Sequence, residues 1–268
     1  VTSIVVRSAY PIGATQIEEL LQRVLGREAD EQLRKTLLRL LMQTAVEGAN
    51  EPAARLGQRP TLSLNHPVLQ RLATDHLPKI VGINETTRVA IRDGLLGVIA
   101  SGGTLQQQVD LVRGVFRDAS AVRALTIART ENGIFWNAGG HRQMVELGAR
   151  SHTWLSSHDP RVRPTHVDAD GQCRPLEAAF DVGYSKLQHP LDPAGPPEET
   201  INCRCVEIPG VSPCGAERVL SPEQRESEWR RVIRSVDARE RLTLVTTRRI
   251  FRGQRTAILT EIRRLTGT

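Results

Sequence analysis

Two cysteines one residue apart close the run Asn202-Cys203-Arg204-Cys205, and a histidine, His166, lies upstream in a proline-containing loop. Zinc takes about four nitrogen, sulfur or oxygen ligands in a tetrahedral array. On an extended segment Cys203 and Cys205 project to the same side and offer two thiolates to one ion; a tighter turn does the same. His166 supplies a third ligand from across the fold. Cys173 is the first candidate for the fourth, followed by Asp159, His158 and Cys214, and a Cys173–Cys214 bridge is open on spacing alone. Clustered cysteines with a nearby histidine and no secretory leader favour metal over disulfides. The plainer alternative is structural. His166 orders the loop from Asp159 to Gly171, Asp159 pairs with Arg161 or Arg163, Arg204 turns away from the thiols into that network, and Trp154 and Phe180 anchor a small core.

A hydrolytic reading is also available, with His158, Asp159 and His166 activating a metal-bound water for phosphodiester cleavage. Two thiolates with further ligands point instead to a closed structural site. The sequence has no His-Glu-x-x-His, Walker loop, Gly-x-Ser-x-Gly or zinc-deaminase signature, so no catalytic residue is assigned.

The surrounding elements read as an α+β fold, mainly helical. A capping box at Thr15 to Glu18 opens an amphipathic helix that stops at Gly26. A second runs from Ala29 to Glu47, burying Leu33, Leu37, Leu40, Leu41 and Thr44, with Gly48 as its stop. Shorter helices follow at 67–77, 85–100 and 105–117, the last opened by a box between Thr104 and Gln107. A longer one spans Ala121 to Leu147 and carries Ala128-Arg129-Thr130-Glu131, whose Arg and Glu suit a surface ion pair. From Ser151 the texture changes to prolines and short extended runs at 152–155, 172–175 and 203–208. Such a segment needs a staple, which a metal would supply. Helices at 223–239 and 252–265 flank Leu242–Thr247, whose composition is that of a strand. The divisions are therefore a helical region over 1–83, a proline-rich α+β domain over 84–210 and an arginine-rich, mostly helical extension over 211–268.

The chain has 268 residues, 39% of them apolar and only 3% aromatic, so Leu, Val, Ile and Ala must build the core. No run is long and apolar enough to span a membrane. Net charge is +6, and residues 216–268 carry all of it, with 13 arginines against 7 acids. Nucleic-acid attraction, if any, concentrates there, with Arg230, Arg231 and Arg234 as one basic face and Arg248, Arg249 and Arg252 as another. A solvated pair of amphipathic helices explains the same residues.

Taken in order, Ala128-Arg129-Thr130-Glu131, Trp154, Asp159, Arg161-Val162-Arg163, His166, Gly171-Gln172, Phe180, Pro190, Asp192-Pro193, Glu199 and Asn202-Cys203-Arg204-Cys205 resemble the minor head protein F family of Mu-like tailed phages. The resemblance covers about Asn84 to Pro209. It implies a minor structural protein of the phage head, acting in head morphogenesis at the portal vertex. Its partners would be the portal and major capsid proteins and, through the basic tail, packaged double-stranded DNA. Its location would be the virion, with the host cytoplasm as the place of assembly, and an internal position with release alongside the DNA fits as well. A metal-dependent nuclease or toxin-like effector on the same domain is the alternative. Cys173 departs from the family pattern, standing where another residue type is expected.

Overall fold

The computed structural model describes residues 12–118, 122–216 and 219–266. It is mainly helical with short antiparallel strands, as the sequence predicts. The helices are α1 (Ala14–Leu25), α2 (Arg27–Arg55), α3 (Pro67–Ala100), α4 (Leu105–Asp118) and α5 (Ala124–Glu146). There follow β1 (Ser151–Leu155), α6 (Pro164–Ala169), β2 (Cys173–Pro175), β3 (Phe180–Val182), β4 (Ser185–Leu187), α7 (Pro197–Thr200), β5 (Val206–Gly210) and α8 (Pro222–Thr266). The expected start of the fifth helix at Ala121 lies outside the described residues.

The chain forms two compact units that interleave along the sequence. Among the described residues, one unit gathers those between 12 and 38, between 76 and 124 and between 246 and 266. Its core is the helical stripe of Ile17, Leu20, Leu21, Leu25, Leu33 and Leu37, joined by Ile91, Leu95, Phe116, Phe251 and Ile258. Buried Asn84 is satisfied inside it, donating to Asp30 and accepting from Gln254, each at 2.8 Å. The α1 cap sits two residues earlier than the Thr15 box, because the Gln16 side chain accepts the Gly13 N–H at 2.9 Å. The Thr104–Gln107 box forms reciprocally as expected.

The second unit gathers residues 39–75 and 125–245 and holds every strand among the described residues. Its three-stranded sheet has the order β2-β1-β5, with β1 antiparallel to both neighbours. Strand alternation sends Leu155, with Val206 and Ile208 of β5, into a cluster with Trp136 of α5 and Trp229, Val232, Ile233 and Val236 of α8. His152 and Trp154 point the other way, where Phe180 packs on both at ring distances of 4.1 and 5.3 Å.

Three local expectations are corrected. Gly48 does not stop α2, which continues to Arg55 with Pro52 inside it. Its buried stripe runs on as Ala45, Ala49 and Ala53, all small. Gly48 is there for close approach, since a Cβ at Gly48 would strike the Trp136 carbonyl and one at Gly139 would strike that of Ala45. Introducing Gly139→Val should therefore cost about 3 kcal/mol by overpacking, read as a lowered midpoint in urea unfolding. Residues 67–100 form one helix despite Pro78. Leu242–Thr247 lies within the 45-residue α8, and no strand forms there. Its β-branched residues follow a helical period, Thr243 and Thr247 being buried four apart, so packing overrides their modest preference for strand. The Thr243 hydroxyl is 3.3 Å from Asn132 Oδ1, a contact only a helix at this register brings about.

Candidate metal centre

Three elements of the second unit converge on one buried point. The short helix α6, opened by Pro164 at its first position, presents His166. A turn at Ile201-Asn202 follows α7 and leads into β5, placing Cys203 and Cys205 on its way. The turn needs Asn202 in the left-handed region (φ 60°), a conformation that asparagine tolerates better than most residues. Thr130 of α5 holds that turn, its hydroxyl accepting the Asn202 N–H at 3.0 Å. Arg129 of the same tetrapeptide pairs with Glu240 of α8 at 3.3 Å.

His166 Nδ1 lies 3.3 Å from Cys205 Sγ and 3.5 Å from Cys203 Sγ. All three residues are at most 3% exposed. Zinc–nitrogen and zinc–sulfur bonds of about 2.05 and 2.3 Å at a tetrahedral angle separate the two donors by about 3.6 Å, so both distances suit one ion. His166 Nε2 is 2.9 Å from Glu199 Oε2, which also accepts the Thr165 hydroxyl at 2.9 Å. A carboxylate on Nε2 keeps the proton there and leaves the Nδ1 lone pair facing the sulfurs, as in carboxylate–histidine–metal triads. Glu199 stood in the sequence pattern without a role; its 33-residue separation from His166 conceals the contact.

The electrostatics favour an anion at this point. With no ion bound, burial works to raise the Cys203 thiol, yet hydrogen bonds from Cys205 and from a proton on His166 Nδ1, which an ion would displace, bring it down. Burial and the neighbouring Cys203 push Cys205 up. The indole nitrogen of fully buried Trp154 has no regular hydrogen-bond partner, and the Cys205 sulfur is the acceptor beside it. The Trp154 and His166 rings meet edge to face at 5.5 Å.

The fourth ligand is corrected. Cys173 is bonded to Cys214 in a disulfide, so neither sulfur can serve the ion. That bridge ties β2 to the segment after β5 and closes a span of 41 residues. Cys173→Ser should cost about 3 kcal/mol through the greater freedom of the unfolded chain, measurable as the stability difference between oxidised and reduced protein. Asp159 is committed elsewhere. It accepts from the Arg161 backbone and side chain at 2.9 and 3.0 Å and from Arg204 at 2.6 Å. Burial would raise its carboxyl, but these arginines hold it below the usual range. His158 sits 3.3 Å from Asp170, which also binds Arg225 at 2.7 Å. Among the described residues the cluster is thus three donors: His166, Cys203 and Cys205.

The remaining motif residues frame this knot. Arg204 turns away from the thiols, lies over Trp229 at 5.2 Å and accepts the Trp229 indole N–H on its carbonyl at 2.8 Å. Arg163 donates to the Ile201 carbonyl. Gly171 adopts φ 79° and donates its N–H to the Trp154 carbonyl at 2.9 Å, a turn that an L-side chain would strain.

The two basic faces fall in different compact units. Arg230 pairs with Glu226, Arg231 with Glu51 and Glu228, and Arg234 Nε donates to the Arg230 carbonyl at 3.2 Å. Much of the first face is therefore neutralised locally. Arg248, Arg249 and Arg252 are exposed. No helix among the described residues is long and apolar enough to cross a membrane.

Residues 89–208 match the family described as Phage Mu protein F like protein. Over 116 residues the chain is 30% identical to an uncharacterized protein of Haemophilus influenzae, a stretch that covers 40% of this chain and 23% of that protein. The chain thus spans about a quarter of that relative's length. No solved structure matches.

Proposed function

Residues 89–208 belong to the Phage Mu protein F like family, and from that premise we propose that the protein is a minor structural component of a tailed-phage head, acting in head morphogenesis at the portal vertex. One observation carries the structural rather than catalytic reading. His166, Cys203 and Cys205, which the family resemblance includes, meet in a single buried knot, with Trp154 packed on His166 and Thr130 holding the turn before the cysteines. A reaction centre must admit substrate, whereas every donor here is closed off from solvent.

Zinc is the ion we assign to His166, Cys203 and Cys205, because two thiolates and an imidazole suit it. Bound there, it would tie α6 to the α7–β5 turn. The partners we assign are the portal and major capsid proteins, with packaged DNA met through Arg248, Arg249 and Arg252 without sequence readout. The protein should co-purify with mature heads and bind isolated portal rings. Its absence from both would overturn the assignment.

The alternative of a metal-dependent nuclease draws on one observation, that the described residues supply three ligands and leave a coordination position for water. It requires metal-dependent DNA or RNA cleavage that disappears in a folded His166→Ala variant. We assign no such activity.

A further inference from the structure

On the sheet face that carries Trp154, but beyond Phe180, lies a second group of metal-ligand side chains, from α5, β1 and β5. His141 Nδ1 is 3.1 Å from Glu207 Oε1, and His152 Nδ1 is 2.7 Å from Glu207 Oε2. Neither contact is legible in the sequence, since Glu207 lies 66 and 55 residues from its partners. The carboxylate forks two imidazoles, and all three ligand atoms lie within 4.8 Å of one another.

The tautomer of His152 decides what belongs between them. Its Nε2 is 3.0 Å from the Ala178 carbonyl oxygen, which can only accept. Nε2 therefore carries the proton, and in the neutral ring Nδ1 is a lone pair. That lone pair faces a carboxylate oxygen at 2.7 Å, so two acceptors oppose each other across a hydrogen-bond distance. A proton or a metal ion must fill the gap.

We propose that His141, His152 and Glu207 form a second cation site, for a divalent first-row metal ion that takes nitrogen and oxygen donors. Two imidazoles and a carboxylate are a ligand set that zinc and iron(II) share. The Ala178 carbonyl then plays the orienting part that Glu199 plays for His166. His152 and Glu207 side chains are 0% and 2% exposed, while His141 keeps 16%, which gives an ion its way in. His189 adds a neighbouring imidazole 5.4 Å from His141, held neutral by burial and hydrogen-bonded to the Pro190 carbonyl.

The test loads the full chain with Zn²⁺ alone, and separately with Co²⁺ alone, then measures bound metal after desalting. The wild type should retain two ions per chain. Cys203→Ser should lose one of them together with the sulfur-to-cobalt charge-transfer absorption. His141→Gln and Glu207→Gln should each lose the other and keep that absorption. His141→Gln is the milder change, because that side chain is partly exposed, and circular dichroism checks its fold. Wild-type protein with one ion that depends on Cys203 alone overturns the second site. One ion that depends on His141 and Glu207 but not on Cys203 supports it and overturns the cysteine centre instead. Nitrogen spectra of labelled imidazoles give an independent readout. In the zinc-saturated chain His152 should carry its only proton on Nε2, and a doubly protonated ring there would also overturn the site.

Discussion

Stripping the zinc proposed at His166, Cys203 and Cys205 with a strong chelator, or making Cys203→Ser, should cost the second unit on the order of 5 kcal/mol or more, given the folding free energy that structural zinc supplies. The size follows from what the ion would replace. Without it, the link between α6 and the α7–β5 turn rests on a thiol–imidazole contact, the hydrogen bonds of Thr165 and His166 to Glu199 and the Arg163 bond to Ile201. The short strands around that link offer little stability by themselves. Thermal unfolding followed by tryptophan emission should report the loss, since the Trp154 ring touches His166. Returning zinc should restore the original midpoint in the wild type and leave Cys203→Ser unchanged. A melting curve indifferent to chelator would remove zinc from the account of this fold.

Trp154→Ala should cost about 5 kcal/mol, at the upper end for emptying a large buried side chain. Trp154 is fully buried, and its ring is shared by His166 and Phe180. Its backbone also holds the Gly171 turn, so the cavity would open where the chain reverses direction. Trp154→Phe keeps much of the volume but loses the indole N–H beside Cys205, and should cost roughly half as much. Urea unfolding of the three proteins, each with metal content determined, separates loss of packing from loss of the ion.

Much of this architecture is legible from residue spacing. The runs at 152–155 and 172–175 lie within a residue of β1 and β2, because alternation and flanking prolines mark short strands well. The third strand is displaced: 203–208 reads as extended, yet Cys203 to Cys205 form an irregular link after the Ile201-Asn202 turn, and β5 begins at Val206. A left-handed Asn202 causes the shift, and one sequence cannot tell that from an extended asparagine. Gly48 misleads for a related reason. Glycine serves equally as a helix stop and as a site of close helix contact, and only the presence of α5 decides between them. The choice of Cys173 as a ligand fails on connectivity, because the spacing that permits a fourth zinc ligand also permits its bridge to Cys214. His166, Cys203 and Cys205 do come together, the C-x-C spacing imposing its own geometry, while Glu199 and Glu207 depend on how the strands and helices are folded back on one another.

The cluster beneath the sheet has a consequence for inheritance. Matched residues end at 208, yet Leu155, Val206 and Ile208 are covered by Trp229, Val232, Ile233 and Val236 from the first half of α8. An excised 89–208 fragment would leave that sheet face in water, each large side chain forfeiting about 2 kcal/mol of burial, and should aggregate on expression. The limits of recognisable ancestry are therefore narrower than the limits of the smallest piece able to fold. Any exchange of this region between proteins has to carry along a helix that similarity to the family does not mark, or find a substitute for it.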